Sequence, residues 1–227
     1  FFLIYALPVS AALLYYATTF RSVAGAVDAN HIAKWNGSTW SALGTGTNDV
    51  VIALAVSSSD LYAGGRFTMA GGVPWTKYIA KWNGNAWSAL GIGMNNLVSS
   101  LAVSGSDLYV GGLFTQAGFF GANAIAKWNG SAWSALGSGM NGTVSALMMI
   151  GSDLYAGGDF TMSGGKVANY IAKWNGGAWY TMGTGMDGSI WTLAVNGGDL
   201  YAGGEFTNLG GKAANYIAKW NGSTWSA

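Results

Sequence analysis

Short apolar runs alternate with glycine-rich turns along almost the whole chain. One unit shows the pattern. Val144-Ser-Ala-Leu-Met-Met-Ile150 is a run suited to a strand buried on both faces, and Gly151-Ser152-Asp153 reads as a turn. Leu154 to Gly157 predicts a second strand ending at a glycine pair, and a longer Gly-rich loop runs from Asp159 to Asn169. Tyr170-Ile-Ala-Lys-Trp174 predicts a third strand. Asn175-Gly176 is a hairpin turn in which both residues tolerate positive φ, and Trp179 to Met182 predicts the fourth strand.

This unit recurs. Ile-Ala-Lys-Trp-Asn-Gly begins at Ile32, Ile79, Ile125, Ile171 and Ile217, at spacings of 47, 46, 46 and 46 residues. Leu-Tyr-(Ala/Val)-Gly-Gly begins at Leu61, Leu108, Leu154 and Leu200. A repeat of this length with only strand and turn signals predicts an all-β fold, a β-propeller of four-stranded antiparallel blades. Four complete blades start near Val50, Leu97, Thr143 and Ser189. Ile32 to Leu43 stands before them as a half-blade holding only a third and fourth strand. The predicted division is 1–26 as a membrane segment with a short linker and 27–227 as the propeller. That propeller is expected to be incomplete at its C-terminus, because Ala227 falls where other copies continue to Leu-Gly. Two more strands would complete a five-bladed ring, and further repeats would give six or seven.

Phe1 to Phe20 (FFLIYALPVSAALLYYATTF) carries no charge. Twenty helical residues span about 30 Å, the thickness of a bilayer core. Tyr15, Tyr16, Phe20 and then Arg21 read as an interfacial end. A transmembrane helix holding the propeller on the periplasmic or extracellular side is therefore expected, with membrane lipid as its partner. A secretory signal peptide is the rival reading, with Ala24-Gly25-Ala26 as its cleavage site. Either reading puts the following domain outside the cytoplasm.

Composition narrows the chemistry. A net charge of +1 with 8% charged residues leaves no basic footprint for nucleic acid. The chain has no cysteine, one histidine (His31) and two arginines (Arg21, Arg66). Thiolate chemistry and a His-rich metal site are excluded, and no cofactor is expected. His31 occupies the column of Tyr78, Ala124, Tyr170 and Tyr216, so it reads as a structural substitute. Asp60, Asp107, Asp153 and Asp199, each just before Leu-Tyr, read as turn caps bonding their own backbone. Paired tryptophans such as Trp82 with Trp87 are expected to pack between blades. The lysine column (Lys34, Lys81, Lys127, Lys173, Lys219) is expected to lay its stems along that aromatic surface. Asn36, Asn129, Asn141 and Asn221 begin N-x-S/T sequons that Asn-Gly turns explain equally well.

Gly157-Gly158, then Tyr170, then Trp179 stand in an order that resembles the kelch repeat, and the resemblance covers residues 30 to 227. It implies the propeller architecture and names no ligand. Galactose oxidase, a kelch-like enzyme, relies on copper-ligating histidines and a Cys–Tyr crosslink, which this composition cannot supply. The Asn-Gly-Ser-Thr-Trp runs at Asn36 and Asn221 resemble half of a sialidase Asp box. The box Asp is replaced by Trp35 or Trp220, and two arginines cannot form a three-Arg clamp.

Comparing the copies with each other separates fixed from free positions. The Asn-Gly and Ser-Asp turns barely change and are expected on one face. Opposite them the loops diverge. After Gly-Gly the column reads Arg66, Leu113, Asp159, Glu205, and three residues on it reads Met69, Gln116, Met162, Asn208. One loop carries Val73-Pro-Trp-Thr-Lys77, another Phe119-Phe120, and Trp191 replaces Ile52, Ser99 and Ser145 in the innermost strand. Arg66, Trp75, Phe119, Phe120, Asp159, Trp191 and Glu205 form the candidate partner-binding set, since aromatics with both charges suit a protein partner.

No convergent acid–base constellation stands out. Asp159, Asp187 and Glu205 meeting around a channel is the remaining catalytic or cation-binding option. The expected function is a non-enzymatic, membrane-anchored interaction scaffold, an accessory subunit docked on other membrane-complex subunits. A surface or secreted carbohydrate-binding propeller, with tryptophans stacking on glycans, is the alternative.

Overall fold

The computed structural model describes residues 28–58 and 60–227 in full. Before them it gives only the backbone of the strands Leu3–Leu7, Leu14–Thr18, Ser22–Ala24 and Val27–Ala29. The expected membrane segment over 1–26 and its cleavage site fall outside the fully described residues. Among the described residues no helix is long and apolar enough to cross a membrane.

Among the described residues, strands group into five four-stranded antiparallel sheets, each one blade. The second to fifth blades open with Val51–Ser57, Val98–Ser104, Val144–Ile150 and Ile190–Asn196, within a residue of the starts expected from the repeat. In the first blade Leu14–Thr18 pairs with both Leu3–Leu7 and Ala33–Trp35, so the expected half-blade has two partner strands. The chain forms two compact units, Phe1–Val98 and Ser99–Ala227.

In the first unit, Ile32 and Leu43 of the first blade pack with Val51, Leu54, Leu61, Phe67 and Trp87 of the second. In the second unit, Ile125 and Leu136 of the third blade meet Val144, Leu147 and Trp179 of the fourth. Ile171 and Met182 of the fourth likewise meet Ile190, Leu193 and Phe206 of the fifth. Burying such aliphatic and aromatic side chains contributes about 1.5–3 kcal/mol each, so blade-on-blade contact is what makes every sheet stable.

The glycine pair follows from this packing. A Cβ on Gly157 would stand 2.6 Å from Ile190 Cγ2 of the next blade, and one on Gly158 would collide with the carbonyl oxygen of Thr143. The first glycine therefore lets the next blade approach. The second lets its own innermost strand approach.

Tryptophans stitch neighbouring blades, as expected. Trp174 and Trp179 lie opposite each other across the outer hairpin, ring centroids 5.3 Å apart and tilted by 53°. Trp179 Nε1 donates to the Leu136 carbonyl at 2.8 Å, Trp225 Nε1 to Met182 at 3.0 Å and Trp87 Nε1 to Leu43 at 2.8 Å.

The aspartate and lysine columns are read differently by the structure. Lys173 Nζ donates to Asp153 at 3.0 Å, and Lys81–Asp60, Lys127–Asp107 and Lys219–Asp199 repeat the pair at 3.0–3.3 Å. Consecutive strand residues point to opposite faces, so Lys173 cannot lie on the Trp174 surface. Cross-strand pairing sets Tyr155 beside Lys173 instead. Here the hydrogen bond to Asp153 raises the ammonium pKa, and burial raises that of the Tyr155 phenol.

Tyr170 does not belong to the third strand, which begins at Ile171. It sits at φ 72°, and His31, Tyr78, Ala124 and Tyr216 sit between 61° and 68°. At this left-handed corner the Tyr170 amide donates to Phe160 O and its carbonyl accepts from Gly158 N. The column is thus a backbone corner, and His31 fills it as expected.

Candidate functional site

The conserved-looking hairpin turns are occupied by themselves. Asn129 Oδ1 accepts from the Ser131 and Ala132 amides at 3.0 and 2.8 Å, and Asn36, Asn83, Asn175 and Asn221 do the same. The loops at the other end of each blade differ. The stretch expected as one Gly-rich loop holds a two-stranded hairpin in the third, fourth and fifth blades. Gln116–Ala117 pairs with Phe120–Gly121, Met162–Ser163 with Lys166–Val167, and Asn208–Leu209 with Lys212–Ala213. The repeat pattern hid these hairpins because each strand is only two residues long.

Phe119 and Phe120 sit at the tip of the first of these hairpins, 84% and 58% exposed. In the fourth blade the turn is Gly164-Gly165, both with positive φ, the pattern of a type I′ turn. In the third only Gly118 has positive φ, which moves the turn to the II′ pattern and admits a phenylalanine second. Glycine suits position 118 because its φ is positive and a Cβ there would press on Trp133 Cδ1 at 3.1 Å. The hairpin rests on the blade while both rings face water.

Ser189 bonds to the Asp159 side chain and to the Glu205 backbone. Ser189 Oγ donates to Asp159 Oδ1 at 2.8 Å, and the Ser189 carbonyl accepts from the Glu205 amide at 2.8 Å. Trp191, two residues on and 58% exposed, lies in the strand Ile190–Asn196. Asp187 does not join them. Its carboxylate accepts from the Thr207 amide at 2.7 Å, the Asn208 amide at 2.9 Å and Thr207 Oγ1 at 2.9 Å. The Thr207 amide above all holds its pKa below the usual carboxylate value. Asn48 and Asn141 make the same loop clamp in their blades, so Asp187 is a structural variant of an asparagine column. Among the described residues no three His, Cys, Asp or Glu side chains cluster as metal ligands.

Arg66 and Trp75 belong to the first unit, and both are exposed. Trp75 sits at φ 65° in the Val73-Pro-Trp-Thr-Lys loop. The turn is held by Thr76, whose Oγ1 accepts from Ala70 N and donates to Val73 O, both at 2.8 Å. A bulky side chain in the left-handed region costs about 1–2 kcal/mol, which the clip maintains.

An open cleft of about 470 Å³ lies within the second unit, lined by Leu113, Asn123, Met140, Asn141 and Met162 among others. The divergent columns contain Leu113 and Met162. Asn123 and Asn141 could not be marked by any repeat comparison, because both serve loop hydrogen bonds, to Ser138 O and Thr161 Oγ1.

Four-stranded antiparallel blades packed through a glycine pair and a stitching tryptophan define a β-propeller scaffold. Residues 85–227 match the family model of the Rax2 C-terminal beta propeller domain, and the chain belongs to that family. No curated protein sequence matches it. Among solved structures it is similar to the computationally designed Ika8 protein (TM-score 0.59, 15% identity, 96% of this chain and 57% of that one). It is also similar to the WD40 beta propeller domain of Doa1 (TM-score 0.59, 13% identity, 88% and 61%) and to the designed Ika4 protein (TM-score 0.52, 14% identity, 78% and 94%). These likenesses concern the fold. The chain spans less than two thirds of the length of Ika8 and of the Doa1 domain.

Proposed function

We propose that this propeller is a non-catalytic docking module whose divergent loops hold a protein partner. The observation that carries the reading is the Phe119-Phe120 hairpin tip. Two adjacent phenylalanine rings facing water are costly to solvate, and an aromatic anchor entering a partner pocket removes that cost. Asp159 and Glu205, both in the second unit, add acidic groups to the proposed set. Arg66 and Trp75 extend the proposed set in the first unit. The expected partners are membrane-complex subunits, met outside the cytoplasm, and the kelch-type order of Gly157-Gly158, Tyr170 and Trp179 is part of the same reading.

Residues 1–20 serve this proposal as a membrane anchor. One observation favours a different use of them. Tyr15 pairs with Trp35 and Tyr16 with Lys34, the register in which Leu154 pairs with Trp174 and Tyr155 with Lys173. In that second reading the segment is the inner half of the first blade. Alkaline extraction of native membranes separates the two: an anchor stays in the pellet, a blade strand leaves with the soluble fraction. The carbohydrate-binding alternative rests on exposed Trp75 and Trp191, because Trp87, Trp179 and Trp225 are engaged in stitching blades.

Capture from mildly solubilised native membranes tests the docking reading. A protein recovered in stoichiometric amount with the wild type and lost with Phe119→Ser/Phe120→Ser supports it. Undiminished capture by that variant removes the hairpin from the site. Binding on a glycan array, lost in Trp75→Ala or Trp191→Ala, transfers the function to the carbohydrate reading.

A further inference from the structure

Two divergent columns meet at the cleft of the second unit. Leu113 of the third blade and Met162 of the fourth line it, 50% and 39% exposed, with Phe114 and Met140 buried beneath. Between the fourth and fifth blades the same two columns read Asp159 and Asn208, both polar. An apolar pair is thus particular to this interblade position within the unit. None of the residues lining the cleft is ionisable, and Phe114, their one aromatic ring, is 1% exposed. The lining therefore offers no ring face for a sugar and no charge of its own.

Charge enters only at the ends. A Cβ on Gly142 would collide with the Asp159 carbonyl oxygen, and the Asn141 amide donates to Met162 O at 3.3 Å. Met140 pairs antiparallel with Ser163, and the Gly164 amide donates to Gly139 O at 2.9 Å. Residues 159–164 therefore run antiparallel to 139–142 along one wall. Asp159, exposed and bonded to Ser189 through one oxygen, stands at one end of that wall. At the other end Gly165 lines the cleft and exposed Lys166 follows it. The wall from Asp159 to Gly164 is at most about 17 Å of extended chain.

We infer that this cleft binds an extended peptide segment of the docked protein. An apolar side chain of that segment enters between Leu113 and Met162. A basic residue on one side of it faces Asp159, and an acidic residue on the other side faces Lys166. The inference rests on the docking reading above and names the chemistry of the partner. A cleft of about 470 Å³ is in the range that holds a specific ligand. The apolar pair supplies affinity by leaving water, and the opposite charges at the two ends set the direction of the segment. About five extended residues span the two charges.

The test pans a phage-displayed library of random dodecapeptides on the purified 227-residue chain. Enriched peptides should carry an apolar residue with a basic and an acidic residue on opposite sides of it. Binding of one such synthetic peptide, read by fluorescence anisotropy, should weaken about tenfold or more in Leu113→Glu and in Met162→Glu. Asp159→Lys should weaken it as well, and a peptide with glutamate in place of its basic residue should recover binding to that variant. Unchanged urea midpoints show that the variants are folded. Peptides of another pattern, unchanged binding by Met162→Glu and Asp159→Lys, or no enriched peptide at all overturns the inference. Capture from native membranes separates this inference from the hairpin reading. A protein lost from Met162→Glu but retained by Phe119→Ser/Phe120→Ser supports the cleft and removes the hairpin. A protein retained by Met162→Glu but lost from the double serine variant keeps the hairpin and overturns the cleft.

Discussion

Trp75 shows how much a single residue can carry. Its left-handed φ is unfavourable for a bulky side chain, and Thr76 enforces it. Trp75→Gly should hold or raise stability, by up to about 1 kcal/mol, because glycine adopts this φ without strain while gaining freedom in the unfolded chain. If Trp75 is retained for a partner, the same variant loses capture while its urea midpoint holds. Asp187 gives a second residue-scale prediction. Its pKa is lowered in the fold, so its stabilising effect is present above the ordinary carboxylate value and fades as pH falls through the lowered one. Asp187→Asn should match the wild type at neutral pH, since Asn141 makes the same clamp, and should flatten the acid limb of a pH–stability curve. Asp187→Ala should lower the urea midpoint at neutral pH by leaving the Thr207 and Asn208 amides without their acceptor. At this scale little was legible in advance. Asp153 read as a turn cap because the sequence shows its neighbours in the chain, while its partner Lys173 lies on the adjacent strand of the sheet, 20 residues away. The Ser189 bridge from the Asp159 side chain to the Glu205 backbone spans one whole repeat, and no local pattern marks it.

A blade is stable only against its neighbours, and its signature residues act there. Trp179→Phe keeps most of the ring's burial but removes the Nε1 donor from the buried Leu136 carbonyl. About 1–3 kcal/mol should be lost, read as a lower urea midpoint with little change in slope. Gly157→Ala should cost a similar about 1–3 kcal/mol by overpacking against Ile190. The blades themselves were legible, because the repeat fixes strand starts to within a residue and Asn-Gly marks the outer turn. Two local features escaped. The left-handed corner at Tyr170 carries Tyr, His or Ala in every copy and never the glycine that would announce it. The loop hairpins are too short for a period-two pattern to form.

Across the whole molecule the same Lys–Asp–Tyr arrangement recurs in successive blades, so its titration is multiplied. Burial raises the phenol pKa of Tyr62, Tyr109 and Tyr155 from 10.0, and the bond to Asp153 raises that of Lys173 from 10.5. Groups with a raised folded pKa contribute fully below their unfolded value and lose that contribution as pH rises through the folded one. Thermal stability should therefore hold to about pH 10 and fall beyond it. In Tyr155→Phe the fall should be shallower. The lysine pairs themselves, about one third exposed, are worth only about 0.2–1 kcal/mol each.

A photo-crosslinking residue at position 119, introduced in the native membrane background, tests the docking role most directly. The same residue at position 131, in the Asn-Gly turn of the same blade, serves as the comparison. A single discrete adduct from position 119, with none from position 131, is the predicted result. No adduct from position 119, or the same adduct from both positions, would contradict a docking surface built on the Phe119-Phe120 hairpin.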